Sequence, residues 1–203
     1  MDFEDSIKEA ARRADAATRD AMAAYRDETV EYEPVITGGL ATSLRTALNG
    51  QIQDLIWSAH VLKSGTGSGR EETPIGADLL IHVQFDTPSL KYSKGVLVQA
   101  KRLEPAVTMT TDQYSELVEQ CKKMLKVTIA SFVFDYARVG MRCAPASLVI
   151  RSDMRELYSQ CAWTPYRFFL ELFRSFIGDP NITSAKVRDL NVPDKLELKA
   201  VRQ

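Results

Sequence analysis

Apolar and polar residues alternate with a period of two in two neighbouring stretches of this chain, and recur near every 3.6 residues in several others. Both strands and helices are therefore expected. Leu79, Ile81, Val83 and Phe85 alternate with Asp78, Leu80, His82 and Gln84, which makes a strand with one strongly apolar face and turns Asp78 away from that face. Residues 86–93, with Pro88, read as a turn. Val96, Val98 and Ala100 then alternate with Leu97, Gln99 and Lys101 in a second strand. Residues two apart on a strand share a side, so Gln99 and Lys101 project together. The short connection favours a hairpin, with Asp78 and Gln99 on adjacent strands.

The helical signals lie around this pair. Residues 5–27 are rich in Ala, Arg, Asp and Glu and poor in large apolar groups, which predicts a helix lying across the surface. Leu40, Leu44, Ala47 and Leu48 form an amphipathic stripe that Asn49 and Gly50 end or kink. The stretch 52–62, with Leu55, Ile56, Trp57, Val61 and Leu62, fits either a continuation of that helix or a first strand near 57–62. Thr110 and Gln113 have the spacing of a capping box and open a helix to about Lys126. Its stripe is Tyr114, Leu117, Val118, Cys121, Met124 and Leu125, while Glu116, Glu119, Lys122, Lys123 and Lys126 face solvent or a polar ligand. Residues 131–136 and 146–150 read as a third and a fourth strand, with Gly140 and Pro145 in the turn between them. Thr164 and Pro165 begin a helix whose Phe168, Phe169, Leu172, Phe173, Phe176 and Ile177 call for deep burial, and Gly178, Asp179 and Pro180 stop it. Beyond Asn181 the chain is thinly apolar, with a short strand at 195–201 or a fraying end. The expected fold is α/β, a mixed central sheet flanked by helices. Its expected parts are an Ala-rich N-terminal helix over 1–29, an α/β domain over 30–180 and a C-terminal extension over 181–203.

Composition narrows the function classes. The 203 residues, 45% hydrophobic and 26% charged, suit one globular domain that folds in water. No apolar run approaches the length of a membrane span, and the first residues are acidic where a secretory leader would be basic and then apolar, so a cytoplasmic address is expected. Cys121, Cys143 and Cys161 are widely spaced and accompanied only by His60 and His82, which supports buried thiols rather than disulfides or zinc. A net charge of −1 means that any contact with nucleic acid is local. Lys91, Lys94, Lys101 and Arg102, and again Lys122, Lys123 and Lys126, are the candidate clusters. The glycines of 64–70 lack the Lys and Ser or Thr of a phosphate-binding loop, with Arg70, Glu71 and Glu72 in their place, and read as a hairpin or mobile loop.

The hairpin residues carry the clearest chemistry. Magnesium binds through one or two carboxylates, further oxygens and the phosphates of its substrate. Asp78 supplies a carboxylate, the Gln99 side-chain amide and the Ala100 backbone carbonyl supply neutral oxygens, and Lys101 would set an ammonium beside an attacking water and a scissile phosphate. Taken singly, each has a plainer use: Asp78 as a turn carboxylate, Gln99 and Lys101 as the wet side of an edge strand. His82 reads as structural, and Trp57 and Trp163 as core, with base stacking as the other use of either indole.

Asp78 after Pro74-Ile75-Gly76-Ala77, followed by Gln99-Ala100-Lys101, resembles the motifs of the PD-(D/E)xK nuclease superfamily, in particular its Mrr-type branch with Gln in place of the acidic residue. The resemblance covers about residues 30–150 in element order. It implies a restriction-endonuclease-like fold, Mg²⁺ or Mn²⁺ as cofactor, and hydrolysis of DNA in bacterial defence or restriction, by a homodimer or within a larger defence assembly. It also implies a further carboxylate on or before the helix preceding the sheet. Glu33 is assigned to it, with Glu31 and Glu72 as rivals, and Gln113 and Gln120 would face the site. The alternatives from other classes are an inactive module of this fold binding nucleic acid or protein, and an interaction protein docking through its N-terminal helix.

Overall fold

The computed structural model describes residues 3–63, 74–88 and 90–202. Its strands are β1 (Gly50–Ile52), β2 (Leu55–Lys63), β3 (Leu79–Asp86), β4 (Lys91–Lys101), β5 (Ser131–Ala137), β6 (Gly140–Pro145) and β7 (Asp194–Arg202). Its helices are α1 (Phe3–Arg26), α2 (Glu33–Ala47), α3 (Thr111–Val127), α4 (Ala146–Val149), α5 (Leu157–Gln160), α6 (Pro165–Phe173) and α7 (Ser184–Asp189). The strands form one mixed sheet in the order β1-β2-β7-β3-β4-β5-β6. β3 and β4 are the expected antiparallel hairpin, with Leu79 opposite Val98.

Strand parity divides the core in two. Leu79, Ile81, Val83, Phe85, Val96, Val98 and Ala100 pack against α1, α2 and α6, and Leu80, Leu97 and Val133 pack against α3, α4, α5 and α7. The result is a sheet flanked by helices on both faces. Trp57 lies in the first core, edge-on to Phe85 at 5.2 Å. The three cysteines are free and buried. Among the described residues no helix is long and apolar enough to cross a membrane.

Four local expectations change. α1 is not a surface helix: Ile7, Ala10, Ala11, Ala14 and Ala17 are buried, because a stripe of alanines lets α2 and α6 approach closely where larger groups would hold them off. Residues 146–150 are not a strand, since the fourth hairpin strand is β6 and Pro145, lacking an N–H for the ladder, precedes the short helix α4. α6 stops at Phe173, where the Tyr92 hydroxyl donates toward the carbonyls of Leu172 and Phe173, and Phe176 is 73% exposed. The segment expected as an extension forms the strand read at 195–201 and does not fray, but that strand, β7, is central to the sheet, antiparallel to β2 and parallel to β3, with Leu196, Leu198 and Ala200 buried. The open choice at 52–62 resolves as strand β2, preceded by the short β1. The glycine-rich loop 64–70 and Glu72 lie outside the described residues.

Candidate functional site

Because β3 runs parallel to β7 and antiparallel to β4, and β4 parallel to β5, the starts of β3 and β7 and the ends of β4 and β5 share one end of the sheet. Asp78 lies one residue before β3, tied to both neighbouring strands. Its N–H donates to the Val98 carbonyl at 2.9 Å, and its own carbonyl accepts from the Asp194 N–H at 3.2 Å. Asp78 Oδ2 accepts from Gln99 Nε2 at 2.6 Å and from the Ala100 N–H at 2.8 Å. Gln99 Nε2 also donates to the Ala100 carbonyl at 2.9 Å. A carboxylate only accepts, so the amide presents its nitrogen to Asp78.

Lys101, with 18% of its side chain exposed, stands on the same side of β4 as Gln99, its Nζ 3.7 Å from Glu116 Oε1 on α3. Gln120, one turn further along α3, donates from Nε2 to the same Glu116 oxygen at 3.2 Å. Gly76 holds this helix against the strand end. Its φ of +73° is open to glycine at little cost, and a Cβ there would meet the Gln120 carbonyl oxygen at 2.6 Å. The turn carrying Asp78 thus approaches the backbone of the helix carrying Glu116 closely at Gly76.

Glu33 enters from the opposite layer as the first residue of α2, where the helix dipole favours a carboxylate. Burial pushes its carboxyl up to about 7; Lys101 and Arg102 pull it down, and Asp78 and Glu116 push it further up. Asp78 is likewise pushed up to about 6 by burial, against the Ala100 N–H and the Lys101 ammonium, with Asp194 and Glu116 adding to the rise. These mutual influences define the cluster. Glu33, Asp78, Gln99 and Lys101 thus lie near one another at this end of the sheet.

Three further carboxylates stand at this end of the sheet. Glu116 is one of several charged residues on a half-polar helix, and only the packing of α3 selects it. Asp135 interrupts the apolar run of β5, which is a signal, and it is fully buried opposite Lys101 in the β4–β5 register. Its Oδ1 accepts from the Leu103 N–H at 2.9 Å, Oδ2 has no partner among the described residues, and burial lifts the carboxyl to about 7 against that N–H. Asp194 begins β7 on the α2 side. Its carboxyl is raised by burial and held back by Lys63, whose ammonium shares with it the space that the missing side chain of Gly38 leaves open.

Other candidates go elsewhere. Gln113 does not face the site, because its Oε1 accepts from the Thr110 N–H and closes the capping box of α3. Glu31 is exposed, and its carbonyl accepts from Arg102. His82 is buried with Nε2 2.8 Å from Ser93 Oγ, and burial lowers its pKa to about 4, a structural pairing. Lys94 donates to the Ser175 carbonyl at 2.8 Å, while Lys91 and Lys122 pair with Asp86 and Glu119, so these lysines form no single basic face with Lys101. Among the described residues no group of three or more His, Cys, Asp and Glu side chains is arranged to hold a metal ion. Comparison of the chain with protein-family models, with curated proteins and with solved structures gives no match.

Proposed function

We propose that the chain is a Mg²⁺- or Mn²⁺-dependent nuclease of the PD-(D/E)xK type, with a restriction-endonuclease-like fold, hydrolysing DNA phosphodiester bonds in bacterial defence or restriction in the cytoplasm. The observation that carries this reading is the meeting of Glu33, Asp78, Gln99 and Lys101 at one sheet end. The donor set suits a hard cation: Asp78 and Glu33 hold their protons more tightly than free carboxyls because burial leaves their charge poorly compensated, and a divalent ion supplies what is lacking. Asp78, Glu33 and the Ala100 carbonyl would hold it, and Gln99 offers an oxygen once its amide turns over. When bound, the ion supplies Lewis-acid polarisation of the phosphate and acidification of a water.

The remaining work falls to Lys101. Its side chain is largely shielded from solvent and held by Glu116, beside the Asp78 carboxylate. There it donates hydrogen bonds to a phosphate oxygen and offsets the charge that grows as the phosphodiester is attacked. Desolvation strengthens that attraction relative to an exposed lysine. The Gly76–Gln120 contact keeps Glu116, and through it the ammonium, at a set distance from Asp78.

Supercoiled plasmid incubated with the purified protein and Mg²⁺ or Mn²⁺ should be nicked or cut, and EDTA should stop it. Asp78→Asn and Lys101→Ala should each lower the rate at least about 100-fold with unchanged circular dichroism. Full activity in either variant rejects the assignment. A second reading, a non-catalytic module of the same fold, draws on the neutral Gln99 where a third carboxylate would bind metal more tightly. DNA binding indifferent to EDTA, with no cleavage under any metal, would select it.

A further inference from the structure

Past Lys101 the chain leaves β4 through Arg102 and Glu104 into a surface notch of about 440 Å³ whose lining includes Tyr25, Val107 and Arg138. Lys101, the last residue of β4, stands at the site, while Arg102, just past the strand, lines the notch. The two are connected electrically as well, since Arg102 pulls down the Glu33 carboxyl. Both guanidiniums lie over the Tyr25 ring, Arg102 at 5.8 Å and Arg138 at 5.7 Å from its centre. Both cations thus contact the same ring, and each has one hydrogen-bond or ion-pair partner among the described residues. Arg102 Nη1 donates to the Glu31 carbonyl, and Arg138 Nη2 pairs with Glu28 Oε1 at 3.2 Å, both of the latter side chains about half exposed or more.

Carboxylates also face the notch. Glu104 is occupied: its oxygens accept from the Arg138 N–H at 3.1 Å and from the Tyr25 hydroxyl at 3.0 Å. Glu28 and Glu31 are exposed, so water and salt screen them, and an exposed pair such as Arg138–Glu28 exchanges readily for another anion. Val107, which lines the notch, is 47% exposed and gives it an apolar edge. The planar guanidinium of an arginine can donate two parallel hydrogen bonds to a pair of oxygens on a tetrahedral phosphate.

We infer that this notch is a second phosphate subsite, in which Arg102 and Arg138 grip a phosphodiester of the same DNA strand near the one placed at Lys101. The inference rests on the nuclease reading. With a net charge of −1 the chain has no general attraction for DNA, so a grip of this local kind is what holds the strand in register.

The test is fluorescence anisotropy of labelled single-stranded and duplex DNA against the full chain in EDTA, over a range of KCl. Arg102→Gln and Arg138→Gln should each weaken binding several-fold and reduce the slope of log K against log salt by about 0.7 to 0.9. Arg102→Lys and Arg138→Lys, which keep the charge and guard against misfolding, should restore the slope. Unchanged slopes in both glutamine variants overturn the subsite while leaving cleavage and its metal dependence to stand. Reduced slopes with no cleavage under any metal keep the subsite and transfer it to the non-catalytic module. A chain that neither binds nor cuts DNA ends both.

Discussion

Gln99 sets the charge of the site. Its amide donates to Asp78 Oδ2 at 2.6 Å, a contact two ionised carboxylates would not tolerate without a cation between them. Gln99→Glu should therefore raise Mn²⁺ affinity by about tenfold, or ~1.4 kcal/mol, and lower the melting temperature of the metal-free protein at pH 8. Isothermal titration measures the first effect and calorimetry the second. Unchanged affinity would remove position 99 from the ligand set. The residue scale is also where sequence reading works best here. Asp78, Gln99 and Lys101 are each placed by strand parity, whereas Glu116 is one acidic residue among several on a helix, and its selection depends on how that helix is seated.

The seating of α3 belongs to the next scale. Its start is written in the capping box of Thr110 and Gln113, which forms as expected. Its distance from the strand end is set by Gly76, a residue in neither element. Gly76→Ala would place a side chain at φ +73° and 2.6 Å from the Gln120 carbonyl oxygen. The expected cost is about 1–3 kcal/mol of stability, read by urea denaturation, with loss of cleavage at temperatures where the variant is still folded. Activity retained in the folded variant would show that α3 does not position Lys101. β7 shows the same dependence in another form. Its alternation is legible as a strand but does not say that the strand is central; the gap between β2 and β3 accepts it, and its alternate residues Leu196, Leu198 and Ala200 fill the first core.

For the molecule as a whole, the buried carboxylates tie stability to pH. Glu33 and Asp135 are raised to about 7 and Asp78 to about 6. Between the ordinary carboxyl range near pH 4 and these values, the folded chain keeps protons that the unfolded chain has released. Stability therefore falls as pH rises through that window and levels off above it. His82 acts in the opposite sense. With a folded pKa near 4 against an ordinary 6.5, it contributes stability that is lost as pH falls through 6.5 toward 4. Three carboxylates outweigh one histidine, so the metal-free protein should melt several degrees lower at pH 8 than at pH 5.5. Saturating Mn²⁺ at pH 8 should recover part of the loss, because an ion that binds only the folded chain stabilises it, and Asp78→Asn should abolish that recovery. Scanning calorimetry at the two pH values, with and without metal, decides it. A melting temperature that rises steadily from pH 5.5 to 8 would contradict the burial of these groups.

By itself the amino-acid order determined the hairpin, the capped helix after it, the aromatic helix and the side on which Asp78, Gln99 and Lys101 stand, because periods of two and 3.6 and the chemistry of caps are local properties of a chain. Tertiary structure alone decided that an alanine-rich helix is core, that the last strand lies mid-sheet, and that Glu116, Asp135 and Asp194 stand at the same sheet end as Asp78. Those outcomes depend on which surfaces meet after folding, and a polar residue carries no local mark of the neighbour that packing will give it.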